Sequence, residues 1–372
     1  MRAPKTFEDG MARLDTILTQ MQSEDTTLAE SVKLYAEAAS LMEYCRATLE
    51  KASLQIDEID AKRSAAKPAD ADRLKEEVHM DYEKQYHEYL ARVNRALEAA
   101  CNTYLPEESE VCRAARYSLM SGGKRIRAVL VLSVCDMLHG NAEAAEQFAA
   151  AVEMLHCYSL IHDDLPCMDN DDLRRGKPSC HKAFGEATAM LAGDVLLTEA
   201  FNAVAHAPAS AEIRVRAAQA LGMGAGSHGM VYGQELDLKY EALAATEEQL
   251  RLIHRHKTGA LINAAIQMGA AAAQATEQQS KELEDYAYGI GLVFQIVDDV
   301  LDVVGSQEQL GKPIGSDSEN GKTTFVTLFG TDGAMELAKK LNNETCASLH
   351  REFGEKSAFL VELARELLVR RS

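Results

Sequence analysis

Apolar residues recur along this chain at helical spacing and almost nowhere alternate with polar ones, so the pattern predicts helices and no extended sheet. Phe7, Leu14, Ile17, Leu18 and Met21 line one helical face before Ser23–Thr27 interrupts it. Thr27-Leu-Ala-Glu30 then has the order of a capping box, and Leu28, Val32, Tyr35, Ala39, Met42, Leu49 and Ile56 follow a four-three heptad broken at Arg46 and Ser53. Two such helices are expected to zip as an antiparallel hairpin over residues 1–66. A hairpin of about 60 residues buries little apolar surface alone and calls for a partner. Lys62-Arg-Ser-Ala-Ala-Lys-Pro-Ala-Asp70 has no apolar stripe, so residues 67–76 are expected to be a linker. Ala-, Leu-, Glu- and Lys-rich stretches fill residues 77–372, with only seven prolines in the chain and no tryptophan. The expected fold is all-α, an N-terminal helical hairpin joined to a helical bundle.

Composition narrows the ligands. With 47% hydrophobic and 26% charged residues, the chain can bury a large core and is not disordered throughout. Its 39 basic against 58 acidic residues give a net charge of −19, and residues 1–66 alone carry 8 against 12. That balance opposes a broad phosphate-backbone footprint, so no direct nucleic-acid binding is expected and any phosphate ligand must meet a local basic site. Eight cysteines without a CxxC pair read as reduced, mostly buried thiols in a cytoplasmic compartment. The opening MRAPKTFEDG has no apolar signal core, and runs such as Ala128–Leu132 are too short to span a bilayer. The chain is expected to be neither secreted nor integral to a membrane.

Two carboxylate clusters then stand out. The first is Asp163-Asp164-Leu-Pro-Cys-Met-Asp169, continued by Asn170-Asp171-Asp172, and the second is Asp298-Asp299-Val-Leu-Asp302. Carboxylates this dense repel one another unless cations neutralise them. Asp298 and Asp302 stand four apart on one helical face, which suits oxygen coordination of a hard cation. Pro166 cannot continue a helix, so Asp163 and Asp169 are expected to converge through a distortion at a helix end. One such run is often a solvated helix face. Two, each following an apolar stretch (Tyr158–Ile161; Leu292–Val297), argue for Mg²⁺. Magnesium bridges carboxylates to substrate phosphates, and basic groups are at hand. Gly122-Gly123-Lys124-Arg125-Ile126-Arg127 sets glycines before a helix, a local anion site. Arg174-Arg175 follows the first cluster, and Lys257-Thr258-Gly259, Lys312 and Gly321-Lys322 add donors.

Two resemblances attach to these residues. Phe7-Glu-Asp-Gly-Met-Ala-Arg-Leu-Asp-Thr-Ile-Leu18, Glu24-Asp25 before Thr27-Leu28, and Ser31-Val-Lys-Leu-Tyr35 resemble the small subunit of exodeoxyribonuclease VII, over roughly residues 5–60. That implies a non-catalytic hairpin accompanying a large subunit that degrades single-stranded DNA, with the large subunit as partner of residues 1–66. A generic oligomerisation hairpin is the alternative. The Gly122–Arg127 segment, Leu155-His156 through Asp163-Asp164 to Arg174-Arg175-Gly-Lys177, Lys257-Thr258 and Phe294-Gln295 through Asp302 resemble a trans-isoprenyl diphosphate synthase of the bacterial farnesyl diphosphate synthase type, over about 77–372.

The second resemblance implies a helical bundle with a central cavity, usually homodimeric, and three Mg²⁺ between the acidic motifs and an allylic diphosphate. Asp163, Asp169 and Asp298 would be the main Mg²⁺ ligands, with Asp164, Asp299 and Asp302 supporting. Arg174, Lys257, Thr258, Gln295 and Lys312 would hold the allylic diphosphate, with Lys322 a further donor. Lys124, Arg127, His156 and Arg175 would bind isopentenyl diphosphate, and Gly123 would give backbone access. Ala128 departs from the proline many relatives have there, which removes no phosphate donor. Tyr158, five residues before Asp163 and so about 7.5 Å deeper along a helix, is placed to floor the product cavity and set a C15 product. His162 reads as structural and Cys167 as filler. The alternatives are a geranylgeranyl diphosphate synthase, a terpene cyclase, which would not need the Lys124, Arg127 and His156 set, and a nuclease accessory or scaffold protein with an inactive prenyltransferase domain.

Overall fold

The computed structural model describes residues 68–240, 243–304 and 322–370, with side chains from His79 onward, and a set of positions between 13 and 44. Phe7, Leu18, the Thr27–Glu30 capping box, Val32, Tyr35, Ala39, Arg46, Leu49, Ser53, Ile56, Lys312 and Gly321 lie outside the described residues. The chain forms two compact units, Met1–Val78 and His79–Ser372.

In the first unit the described residues 13–14, 16–17, 20–21, 33–34, 37–38, 40–42 and 44 are helical. Arg13 donates twice to Glu37, Nε to Oε1 at 2.8 Å and Nη2 to Oε2 at 3.2 Å, which ties the two predicted segments together. Ile17 and Leu41 are buried, whereas Met42 is 54% exposed. The seam therefore uses Leu41 in place of Met42: one residue is a rotation of about 100° on a helix, and the heptad had two adjacent apolar candidates.

The second unit begins in α1 (Pro68–Tyr104). The expected linker at 67–76 is thus helical from Pro68. Proline is tolerated in a helix's first turn, where its missing N–H needs no partner, and lack of an apolar stripe marks an exposed helix as readily as a coil. There follow α2 (Glu110–Leu119), α3 (Ile126–Met137), α4 (Ala142–Asp163), the strands β1 (Leu173–Arg174) and β2 (Lys177–Pro178), and the short α5 (Cys180–Phe184). Then come α6 (Glu186–His206), α7 (Ala211–Ala225), α8 (Met230–Tyr240), α9 (Glu247–His254), a π turn at Arg255–Gly259, α10 (Ala260–Ala272), α11 (Glu277–Val304), α12 (Phe325–Phe353) and α13 (Ala358–Val369). The fold is all-α.

Local chemistry sets these boundaries. Ser109, Asn141 and Ser210 cap α2, α4 and α7 through their side chains, and Thr246 and Thr324 form capping boxes at α9 and α12. α3 and α10 are apolar on nearly every face and lie buried at the centre, where α4 and α6 also pack. At the α4–α6 crossing a Cβ on Gly193 would collide with the His162 ring, so glycine permits the close approach. The two strands form a tight hairpin, with Arg174 opposite Lys177 and positive φ at both turn residues, Arg175 (55°) and Gly176 (74°). Among the described residues no helix is long and apolar enough to cross a membrane.

Candidate active site

α4 ends at Asp163, and Asp164 is its C-cap. The backbone N–H of Asp169 donates to the Asp163 carbonyl at 2.8 Å and that of Asn170 to Leu165 at 3.1 Å, with Asn170 at φ 53°. The chain thus folds back on itself across Pro166 and brings the Asp169 backbone against Asp163, as the proline demanded. Burial pushes the Asp163 carboxyl up to about 6, the neighbouring carboxylates Asp169 and Asp164 add to the rise, and Lys257 and Arg174 oppose it. Burial likewise raises Asp169, against the pull of Lys257 and Lys322.

Asp164 is turned the other way. It is buried and accepts from Arg174 Nε at 3.0 Å and from Arg174 Nη2, while Arg174 Nη2 also reaches Asp171 at 3.1 Å. The β-hairpin carries this arginine back onto the acidic turn.

Lys257 and Thr258 sit on the π turn between α9 and α10, an irregularity that recurs at functional sites. Thr258 Oγ1 donates to Gln295 Oε1 on α11 at 2.6 Å. Lys257 Nζ meets Asp237 Oδ2 on α8 at 2.6 Å, and Lys322 Nζ lies 3.6 Å from the same oxygen. Gly233, one turn before Asp237, lets α8 lie against this turn: a Cβ there would collide with the Lys257 backbone.

In the second acidic cluster the three carboxylates have three surroundings. Asp298 pairs with Arg370, whose guanidinium stacks on Phe294 with Cζ 3.7 Å from the ring centroid and donates to the Phe294 carbonyl at 2.9 Å. Asp299 is buried and accepts the Phe325 N–H at 2.7 Å, so it serves the N-terminus of α12. Asp302 is buried, and its Oδ1 has no hydrogen-bond partner among the described residues.

The Gly122–Arg127 turn lies against the β-hairpin. Arg175 donates to the Gly122 carbonyl, and a Cβ on Gly123, whose φ is 114°, would stand 2.7 Å from Arg175 Cζ and displace this guanidinium. Arg127 Nη1 and His156 Nε2 are 3.4 Å apart. Burial, then Arg127 and Arg175, holds His156 well below its usual range, so it is neutral. Lys124 is lowered by burial and by Arg370, with Asp298 acting against them. A cavity of about 30 Å³ opens here, lined among others by Arg125, His156, Arg174, Arg175 and Lys177.

The structure therefore groups Asp163, Asp169, Lys257 and Lys322 in one neighbourhood, and Lys124, Arg127, His156 and Arg175 in another. Tyr158 is buried on α4, edge-on to His162 at 5.6 Å, and His162 Nε2 lies 3.0 Å from the Met190 carbonyl, a structural contact. Two residues escaped the sequence reading. Asp237 had a signal in Gly233-Gln-Glu-Leu-Asp237, a glycine one turn before an acid, whereas Arg370 sits 72 residues from its partner and has none.

The carboxylate set fits Mg²⁺. Among the described residues Asp163 and Asp169, brought together by a tight turn, make no ion pair, and the orphaned Asp302 Oδ1 is an acceptor that a hard cation satisfies.

A family model described as "Polyprenyl synthetase" matches residues 108–359, and one described as "Exonuclease VII small subunit" matches residues 7–58. The farnesyl diphosphate synthase of Micrococcus luteus is 47% identical over 262 residues, 70% of this chain and 89% of that protein. A chloroplastic geranylgeranyl pyrophosphate synthase of Catharanthus roseus is 45% identical over 281 residues, 75% of this chain and 78% of that protein. A solved geranyltransferase from Helicobacter pylori, complexed with magnesium and isoprenyl diphosphate, superposes with a TM-score of 0.68 at 34% identity, covering 76% of this chain and 96% of its own.

Proposed function

The chain belongs to the polyprenyl synthetase family, and we propose that its second unit condenses isopentenyl diphosphate head to tail with dimethylallyl and geranyl diphosphate, giving farnesyl diphosphate. The observation that carries this reading is the presence of two separate cationic sites, one at the acidic turn and one at the Gly122–Arg127 turn. A reaction that ionises one diphosphate and spares another needs both.

Asp163, Asp169 and Asp298 would hold Mg²⁺, with Asp302 supporting; when bound, the metal neutralises the charge that builds on the departing diphosphate. Lys257, Thr258, Gln295 and Lys322 hold that diphosphate, and Lys312 is assigned to it by resemblance alone; fixed cations at this position stabilise the charge that builds when the allylic C–O bond breaks. Lys124, Arg127 and Arg175 hold isopentenyl diphosphate, and neutral His156 contributes hydrogen bonding without adding repulsion to the arginines. The isopentenyl double bond attacks the allylic cation, one C–C bond forms, and the proton lost goes to the released pyrophosphate. No side-chain base is required. Arg174, Asp164 and Asp299, expected among the catalytic groups, act in this reading through structure: Arg174 anchors the turn through Asp164, and Asp299 anchors α12. α6 and α7 expose Met190, Leu191, Val215 and Met223, apolar surface that a homodimer would cover. Residues 1–66 are the exonuclease-type module, whose partner is the large nuclease subunit.

Product length tests the finer assignment, since relatives include both C15 and C20 synthases. Tyr158 is buried about 7.5 Å below Asp163 and supports a C15 stop. Chromatography of the prenyl products should give mainly C15 for the wild type and C20 or longer for Tyr158→Ala. A wild type that already makes C20 makes the chain a geranylgeranyl synthase.

A further inference from the structure

The isopentenyl site presents Lys124 and Arg127 from a turn that is unusual in its own backbone. Gly122 and Gly123 have φ of 91° and 114°, and Arg125, which is not glycine, has φ 53°. A left-handed arginine persists only where its surroundings over-determine it. Arg125 is buried and donates to buried Glu153 at 3.2 Å and to the Leu119 carbonyl at 2.6 Å, while Glu153 also accepts the Ala128 N–H at 3.3 Å. The far side of the turn is held from a different helix. Tyr86 of α1 donates its hydroxyl to the Lys124 carbonyl at 2.6 Å. Burial, then the charge of Glu153, pushes that hydroxyl up to about 12, so it remains a proton donor throughout the working range.

We propose that Tyr86 is a positioning residue for the isopentenyl diphosphate site: its hydroxyl on the Lys124 carbonyl, set against the buried Arg125–Glu153 pair, fixes the turn that presents Lys124 and Arg127 together. The inference rests on the reading that these two residues bind isopentenyl diphosphate. Without the hydroxyl, Lys124 keeps its charge and Arg127 its place on α3, but the turn between them loses its hold on α1. Binding then pays to order that turn at each encounter. Lys257, Asp163 and Asp169, which meet the other substrate, are untouched.

The test compares Tyr86→Phe, Tyr89→Phe and Lys124→Ala in the full-length protein with Mg²⁺, isopentenyl diphosphate and geranyl diphosphate. Tyr86→Phe keeps the ring that packs 5.8 Å from Tyr82 and removes one oxygen. It should raise the KM for isopentenyl diphosphate about 5-fold, the scale of one lost hydrogen bond, with kcat and the KM for geranyl diphosphate unchanged. Calorimetric titration with isopentenyl diphosphate alone should show the same loss. Tyr89→Phe removes a neighbouring hydroxyl of α1 that meets Gln85, at 3.4 Å, and Asp136, away from the Gly122–Arg127 turn, and should change neither constant. If Lys124→Ala raises the isopentenyl KM and Tyr86→Phe does not, the positioning role is overturned while the site assignment stands. If Tyr86→Phe and Tyr89→Phe shift both substrates' constants alike, the hydroxyl acts on general stability and the proposal is likewise overturned. If Lys124→Ala leaves that KM unchanged, the site reading fails and takes the proposal with it.

Discussion

Asp163 states the electrostatic problem of this site in one residue. Its carboxyl titrates near 6 in the fold against an ordinary 3.8, with burial the main cause. Between those values the folded state holds more protons than the unfolded one, so the contribution of Asp163 to stability falls as pH rises and is least favourable above about 6. Asp163→Asn removes that penalty. Thermal melts in excess chelator should therefore show the variant more stable than the wild type at pH 7.5 and much less so at pH 4.5. Equal differences at both pH values would mean that Asp163 is solvated or already neutralised. Much of this was legible in the sequence, because two dense runs of acids amid apolar helices repel one another unless cations neutralise them. What was not legible were the partners: Asp164 looks like Asp163 in the sequence, yet faces Arg174, and nothing local told Asp298 that Arg370 would reach it.

The elements show the same division. Capping side chains and apolar periodicity marked the helices, but Pro68 opens a helix where a linker was expected, and the 173–178 hairpin has no alternating run to announce it. Its mark is the Arg175-Gly176 turn, whose arginine reads as half of the basic pair Arg174-Arg175 until the positive φ values are seen. The resemblance gives Asp299 a supporting place beside Asp298, and adjacent helical residues point about 100° apart. It accepts the first N–H of α12, so Asp299→Ala should cost about 1–2 kcal/mol in chemical denaturation, the usual loss of a helix cap. Asp298→Ala removes a partly exposed carboxylate and leaves the largely buried Arg370 guanidinium without this ion pair, so any loss there comes from the pair and not from a helix end. A stability loss confined to Asp298→Ala would reverse the two roles.

At the scale of the whole molecule the proposed reading gives the two units two kinds of work. The first offers an apolar seam through Ile17 and Leu41 and an Arg13–Glu37 clasp, with no candidate catalytic group among its described residues. Ile17→Asp should abolish co-purification with a supplied exonuclease VII large subunit and leave prenyl transfer unchanged; retained association would put the contact elsewhere. The second unit carries every residue of the proposed transfer site, and its central claim is that the two acidic clusters act on one diphosphate. The most direct measurement is steady-state pyrophosphate release from isopentenyl and geranyl diphosphates with Mg²⁺, for the wild type, Asp163→Asn and Asp298→Asn. The account predicts release that needs both substrates and falls at least ~10²-fold in each variant, the scale of losing one strong charge-stabilising group. Near-wild-type release in either variant would contradict it.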